Sequence, residues 1–420
     1  MVPAPGRRLD AAAPAWLWAL PIAYGALVFL PMLRNFFWAD DYGWVATAIE
    51  TTRHPLELLA PAKTDWRPIA KLTFLVDLRL WGLHPAGYYA FNLLVHLANV
   101  AMLMGLAWRI TGGDALVALV AGALFASGFG HFGESVIWIC ARTGLIADGF
   151  ALISLLAHWS WLEHGRVRDR PLTFAAFVLA LLTKESAITL LPLLALLEWV
   201  HGVPAGTPKR AWIVRYAPFA VVLVLYLALE LFALRGGRPI EQGRYALGWH
   251  ALVNFGEYFA RMVVPLTASS IMLKVPEGVG KILGWLTAEL AIGMVLLWAA
   301  LFARTRSRPL RFAILWMAVT VFPYVFFTTR TSTRYLYGPA QGLALAVGLL
   351  FAAWRDRMAR GPVSAGLPRA GRWVLAGLLV ASATVVNVVI HQRHEEQKAA
   401  GTAAYEELVR LARDAGLEER

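Results

Sequence analysis

Long apolar runs separated by short basic blocks constrain this chain more than anything else in it. Residues 16–33, 116–129, 283–302 and 374–390 approach or reach the length needed to cross hydrocarbon, a layer ~30 Å thick. Each run reads as a transmembrane helix. An apolar share of 59% with only 16% charged residues fits a bilayer and not a soluble domain. The formal charge of +12 invites a nucleic-acid reading, but the arginines sit in blocks between apolar runs, as the positive-inside rule expects of cytoplasmic loops. The charge is therefore topological, and no nucleic-acid partner is expected. A single cysteine, Cys140, excludes an internal disulfide and a Cys-rich metal centre.

The blocks at 7–8, 166–170, 209–215, 304–311 and 355–372 mark cytoplasmic positions, so the number of crossings between consecutive blocks is even. Spans near 15–34, 87–108, 115–130 and 144–162 satisfy this before the second block. Residues 171–200 then form a hairpin turning at Lys184-Glu185, followed by spans near 212–234, 283–303, 311–328, 336–354 and 373–391. Residues 249–266 are left over as an amphipathic segment at the outer interface. The first run lacks a small-residue cleavage site and reads as the first helix, not a signal peptide. The expectation is an all-α integral membrane protein, with its membrane domain over 1–391 and its first outer loop near 35–87. Residues 392–420 form a short exposed helical tail. The N-terminus is cytoplasmic and the C-terminus is not.

With this topology the unusual polar residues gather on the outer side. Asp40-Asp41 follow the first span, where carboxylates are expensive unless exposed, paired or functional. Such a group can act as a general base on an acceptor hydroxyl or cap the helix that follows. His131 and Glu134 stand three apart, one helical face, which suits a polar patch that orients substrate; with no third ligand in sight, a metal site there is the lesser reading. Lys184 and Glu185 can pair with each other, and a lysine at that depth also suits a lipid-linked phosphate. Arg330 and Arg334 make the stronger phosphate case, because guanidinium forks match phosphate oxygens and outer arginines run against the positive-inside rule.

Several segments, in order, are similar to motifs of the transmembrane O-mannosyltransferases with tetratricopeptide repeats: DWRPIAKLTFLVDLRLWGLHPAGYYAFNLLVHLANVAML in the first loop, HFGESVIWICARTGLIAD in the second, the hairpin LLTKESAITLLPLLALLEW and the late TRYLYGPAQGLALAVG. They span roughly residues 36–345. The chain resembles protein O-mannosyltransferases more distantly. The resemblance implies a GT-C glycosyltransferase, a bundle of about eleven helices that takes sugar from a polyprenyl phosphate. It implies Asp40 as catalytic base with Asp41 beside it, and Arg142, Lys184, Arg330 and Arg334 at the carrier phosphate. Arg67, His131, Glu134, Glu185 and Tyr335 would shape the pocket. The sequence departs from the family at Phe129-Gly130, where a His-Pro is usual, and its short tail holds no repeats.

The function expected is inverting transfer of a sugar, mannose by default, from a lipid-linked donor to an acceptor hydroxyl on a protein, lipid or glycan. No cofactor is required by this reading, although a divalent metal is compatible with it. The Ala/Arg-rich style points to a bacterial inner membrane and a periplasmic site. Two other readings are a transporter or lipid-linked-sugar flippase, which would favour inverted repeats and broken helices, and a non-catalytic envelope assembly protein, which would tolerate loss of both acids.

Overall fold

The computed structural model describes residues 14–61, 66–202, 208–233, 243–264, 277–328, 331–359, 369–399 and 402–417. Among them the secondary structure is helical, with one isolated bridge between Tyr245 and Phe327. In chain order the helices are α1 (Ala15–Phe29), α2 (Asp41–Arg53), α3 (Pro68–Trp81), α4 (Pro85–Ile110), α5 (Ala115–Ala126), α6 (Gly133–Ile137), α7 (Arg142–His164) and α8 (Asp169–Leu181). There follow α9 (Leu190–His201), α10 (Lys209–Ala233), α11 (His250–Val263), α12 (Glu277–Arg304), α13 (Arg308–Val321), α14 (Tyr337–Ala359), α15 (Arg369–Ala399) and α16 (Ala403–Asp414). A helix stands at each expected span. Among the described residues six are long and apolar enough to cross a membrane by themselves: α1 with its 3-10 extension, α4, α7, α10, α14 and α15.

The centre of the bundle is α14, whose apolar stretch is 78% buried, whereas that of α10 is 11% buried and faces outward. Small residues bring α14 against its neighbours. A Cβ on Gly342 would lie 2.8 Å from the Ala313 carbonyl oxygen of α13, and one on Gly348 would lie 2.8 Å from the Val117 carbonyl oxygen of α5. Close backbone approach of this kind drives helix association in lipid, where apolar surface alone gives no preference for a neighbour.

α5 ends earlier than the span expected over 115–130. Asp114 caps its start by accepting from the backbone N–H of Leu116 at 3.0 Å. After Ala126 the backbone turns through positive φ at Gly128, Gly130 and His131. A helix of this length rises ~18 Å, less than the bilayer core, and it is tolerated because α1, α4 and α14 enclose it.

Two ends of the bundle are chemically distinct. At one, Arg355 pairs with Asp114 at 2.8 Å and Arg215 with Glu198, and the guanidinium of Arg170 lies over Trp161. This end holds the basic blocks. At the other, the loops meet: Arg67 reaches Glu185, Asp41 reaches the Cys140 backbone, Thr333 reaches Glu134, and Asn254 of α11 donates to the Val325 carbonyl. The expected exposed tail is corrected here. α16 packs on α2 with Leu408 and Ala412 buried, because its apolar residues recur at helical spacing and find the first outer loop.

Candidate active site

The acidic turn at 36–41 is held residue by residue. The Asp41 carboxylate accepts from the backbone N–H of Trp38 at 3.0 Å and of Cys140 at 2.8 Å. It is fully buried, and burial pushes its carboxyl up to about 7, against the pull of those N–H groups and of Arg142 and Arg393. Ala39 adopts φ 48°, a left-handed conformation that costs a residue with a Cβ on the order of 1–2 kcal/mol. Asp40 and Asp41 then follow as successive residues in helical conformation, which point about 100° apart around the axis. Asp41 turns inward, while Asp40 stays exposed at the N-cap of α2 with no side-chain capping bond. Of the two readings of this pair, the cap does not describe Asp40.

Lys184 and Arg334 face a narrow cavity of about 30 Å³ between α7, α9, α13 and α14, lined also by Asp148, Ser186, Tyr324 and Tyr335. Tyr335 stacks on Tyr324 at 4.3 Å between ring centroids and on Phe327 at 5.5 Å. The Lys184 ammonium stands 5.6 Å from the Tyr335 ring and 5.9 Å from that of Tyr324. Burial lowers its pKa to about 8, while Glu185 and Asp148 oppose that shift. Arg334 donates to the Tyr335 hydroxyl at 3.1 Å and lies over the Trp138 ring. Among the described residues no carboxylate stands within 4.0 Å of either cation. Two cations set against aromatic faces in one cavity wall are an arrangement that can receive an anion.

Arg67 and Glu185 form a two-bond pair, Nε to Oε2 at 3.0 Å and Nη2 to Oε1 at 2.9 Å. The first loop is thereby tied to the hairpin turn. Lys184 and Glu185 thus have separate partners, because the turn sends their side chains different ways. Glu134 accepts from Thr333 at 2.8 Å and approaches Arg393 at 3.7 Å.

Two placements differ from expectation, and a third residue lies outside the described residues. Arg142 does not face the cavity: it is fully buried, its guanidinium paired with Asp77, donating to the Tyr88 carbonyl at 3.0 Å and packed 4.4 Å from the Phe74 ring centroid. Such a group anchors α7 to α3 and α4 and is used up by protein partners. His131 does not share a helical face with Glu134, since α6 begins only at Gly133 and His131 itself has φ 59°. Burial lowers the His131 pKa to about 4, and among the described residues no group of three His, Cys, Asp or Glu side chains is placed to hold a metal. Arg330 lies outside the described residues.

Two residues that sequence reasoning passed over belong to the site. Asp148 lines the cavity and its field reaches Lys184; a carboxylate inside an apolar span was the available signal. Arg393 lies 3.4 Å from the Trp38 ring centroid, and in the sequence it is only one charge of a mixed tail. Trp138 joins the two parts: its ring meets that of Trp38 edge-on at 5.1 Å, and the Arg334 guanidinium lies over it at 5.1 Å.

No family model matches the chain. In sequence it is similar to the protein O-mannosyl-transferase Tmtc1 of Drosophila melanogaster, 30% identical over 182 residues, or 43% of this chain and 19% of that protein. The chain therefore spans well under two thirds of this curated relative. In structure it is similar to the archaeal oligosaccharyltransferase AglB from Archaeoglobus fulgidus in complex with an inhibitory peptide and a dolichol-phosphate, with TM-score 0.50, 13% identity, and coverage of 90% of this chain and 55% of that one. ArnT from Cupriavidus metallidurans bound to undecaprenyl phosphate gives TM-score 0.49 and 14% identity, covering 91% of this chain and 76% of that one. The resemblance to the O-mannosyltransferases read from the motifs stands. The chain is an all-α integral membrane protein that shares its fold with AglB.

Proposed function

We propose that this protein is a membrane glycosyltransferase that moves a sugar from a polyprenyl-phosphate carrier to an acceptor hydroxyl, with inversion at the anomeric carbon. The observation that carries the reading is an exposed carboxylate, Asp40, two residues from Trp38, and two cations, Lys184 and Arg334, at one cavity, joined through Trp138 at the loop end of a GT-C type bundle. Asp40 takes the proton of the acceptor hydroxyl as its oxygen attacks the anomeric carbon. The bond from that carbon to the phosphate oxygen breaks, and the electron pair leaves with the phosphate. Lys184 and Arg334 stabilise the charge that develops on this leaving group. A cavity of about 30 Å³ holds little more than a water, so the phosphate sits at its mouth against the two cations, with Tyr335 beside it. Arg330 is a further candidate for the same phosphate.

Sequence similarity to an O-mannosyl-transferase supports mannose as the sugar and a protein hydroxyl as the acceptor. The bundle has about eleven crossings in this reading, and the loop end faces the periplasm of a bacterial inner membrane. Mass spectrometry of envelope glycoproteins and glycolipids from cells lacking the gene and from their parent tests it directly. Loss of a hexose from a defined set of hydroxyls is the expected result. Identical glycan profiles would overturn the assignment.

A further inference from the structure

α15 does not stop at the end of its apolar stretch but runs on to Ala399, and α16 then turns back onto α2. Along this C-terminal arm three side chains hold residues 36–38, just before the acidic pair: one by the backbone and two by the rings. The Gln397 amide donates through Nε2 to the Phe36 carbonyl at 2.7 Å and accepts from the Phe36 N–H through Oε1 at 2.8 Å. Tyr89, from α4, donates to the same carbonyl at 2.8 Å. The Arg393 guanidinium covers the Trp38 ring at 3.4 Å and reaches Glu134 at 3.7 Å and Glu396 at 3.2 Å. Tyr405 of α16 packs edge-on against the Phe36 ring at 4.9 Å.

These contacts are matched to what they hold. An amide that accepts from the N–H and donates to the carbonyl of one residue holds both peptide planes that flank it; a carboxylate at the same place would lack the donor. Two residues beyond Trp38 lies Asp40, reached through Ala39 at φ 48°, a backbone state that an alanine keeps only where its surroundings enforce it. From the bundle side the enforcement comes from Asp41, locked to Trp38 and Cys140. From the outer side it comes from the arm.

We propose that the C-terminal arm is a positioning element for the acidic turn, in which Gln397, Arg393 and Tyr405 fix residues 36–38 and thereby aim the Asp40 carboxylate. The inference rests on Asp40 acting as the base of the proposed transfer. None of the three side chains lines the cavity that holds Lys184 and Arg334, so their work is on the acid and not on the carrier.

The test is steady-state kinetics on the purified full chain with polyprenyl-phosphate mannose as donor and an acceptor identified by the mass spectrometry above, together with donor binding and thermal unfolding in detergent. Gln397→Ala and Tyr405→Ala should each lower kcat about tenfold or more, since small misplacements of a reacting group carry such penalties. The KM for the donor, its binding and the unfolding temperature should stay near those of the wild type. Tyr405→Phe should keep full turnover, because the ring contact with Phe36 survives. Unchanged kcat in both alanine variants, with an active wild type, would overturn the arm's role and leave the transferase reading standing. So would a joint fall of kcat, donor binding and unfolding temperature, which marks general loosening. A wild-type protein that binds the donor and releases no sugar from it would sink the transferase reading, and the arm's role with it.

Discussion

At Asp41 the carboxyl is walled off from water and held by two backbone N–H groups, and burial raises it to about 7. The unfolded chain gives up this proton near the usual carboxylate range, about 4, while the folded chain keeps it to about 7. Between those values the folded state binds more protons, so stability falls as pH rises through the window. Thermal unfolding in detergent from about pH 5 to 8 should show that slope in the wild type and a flatter one in Asp41→Asn. At Lys184 binding falls in the same direction: the ammonium is lost above about 8, so affinity for a lipid phosphate should weaken there. Lys184→Ala should weaken donor binding by roughly 1.5–3 kcal/mol, the worth of a charge-assisted hydrogen bond, and remove this pH dependence. Arg142 behaves differently, because it has no water to fall back on. Arg142→Ala strands Asp77 in the core and should destabilise by about 3–5 kcal/mol, seen as lost yield and a lower unfolding temperature. The sequence placed these residues near one another without showing which way each points. Nothing in Asp-Asp says which acid turns inward, since that depends on the Cys140 backbone 99 residues away in the chain.

Among the elements, the hairpin of α8 and α9 was legible from parity of the basic blocks, and its turn falls at Lys184-Glu185 as the apolar arms require. Its tie to the first loop was not legible, because Arg67 and Glu185 lie 118 residues apart and no local pattern joins them. If the pair holds α3 to the hairpin as one unit, Arg67→Ala and Glu185→Gln should each impair stability and turnover, and the double variant should cost less than the sum. A double-mutant cycle should return a coupling of about 0.5–3 kcal/mol; strict additivity would show that the pair does not couple the elements. α16 shows the opposite limit. Its spacing announced an amphipathic helix, but the partner surface on α2 exists only once the bundle has brought both ends of the chain together.

For the whole molecule, composition and basic blocks sufficed for the membrane class and for a helix at each expected span, because hydrocarbon leaves a chain few alternatives. What they could not supply was the depth of the centre, since α14 and α10 are both apolar and differ only in what surrounds them. The packing of α16 on α2 does make a topological prediction. In a Cys140→Ala background, cysteines placed at the exposed Leu56 and Arg413 should react with an impermeant maleimide from the same side, and one at Val167 from the other. Labelling of Arg413 together with Val167 would contradict the arrangement. The central claim, that Asp40 is the base of a sugar transfer from a lipid phosphate, meets its most direct test in purified Asp40→Asn supplied with polyprenyl-phosphate mannose and acceptor. Donor binding at the wild-type level with turnover reduced by a factor of at least about 100, as general-base loss entails, is the predicted result. Wild-type turnover in that variant would contradict it.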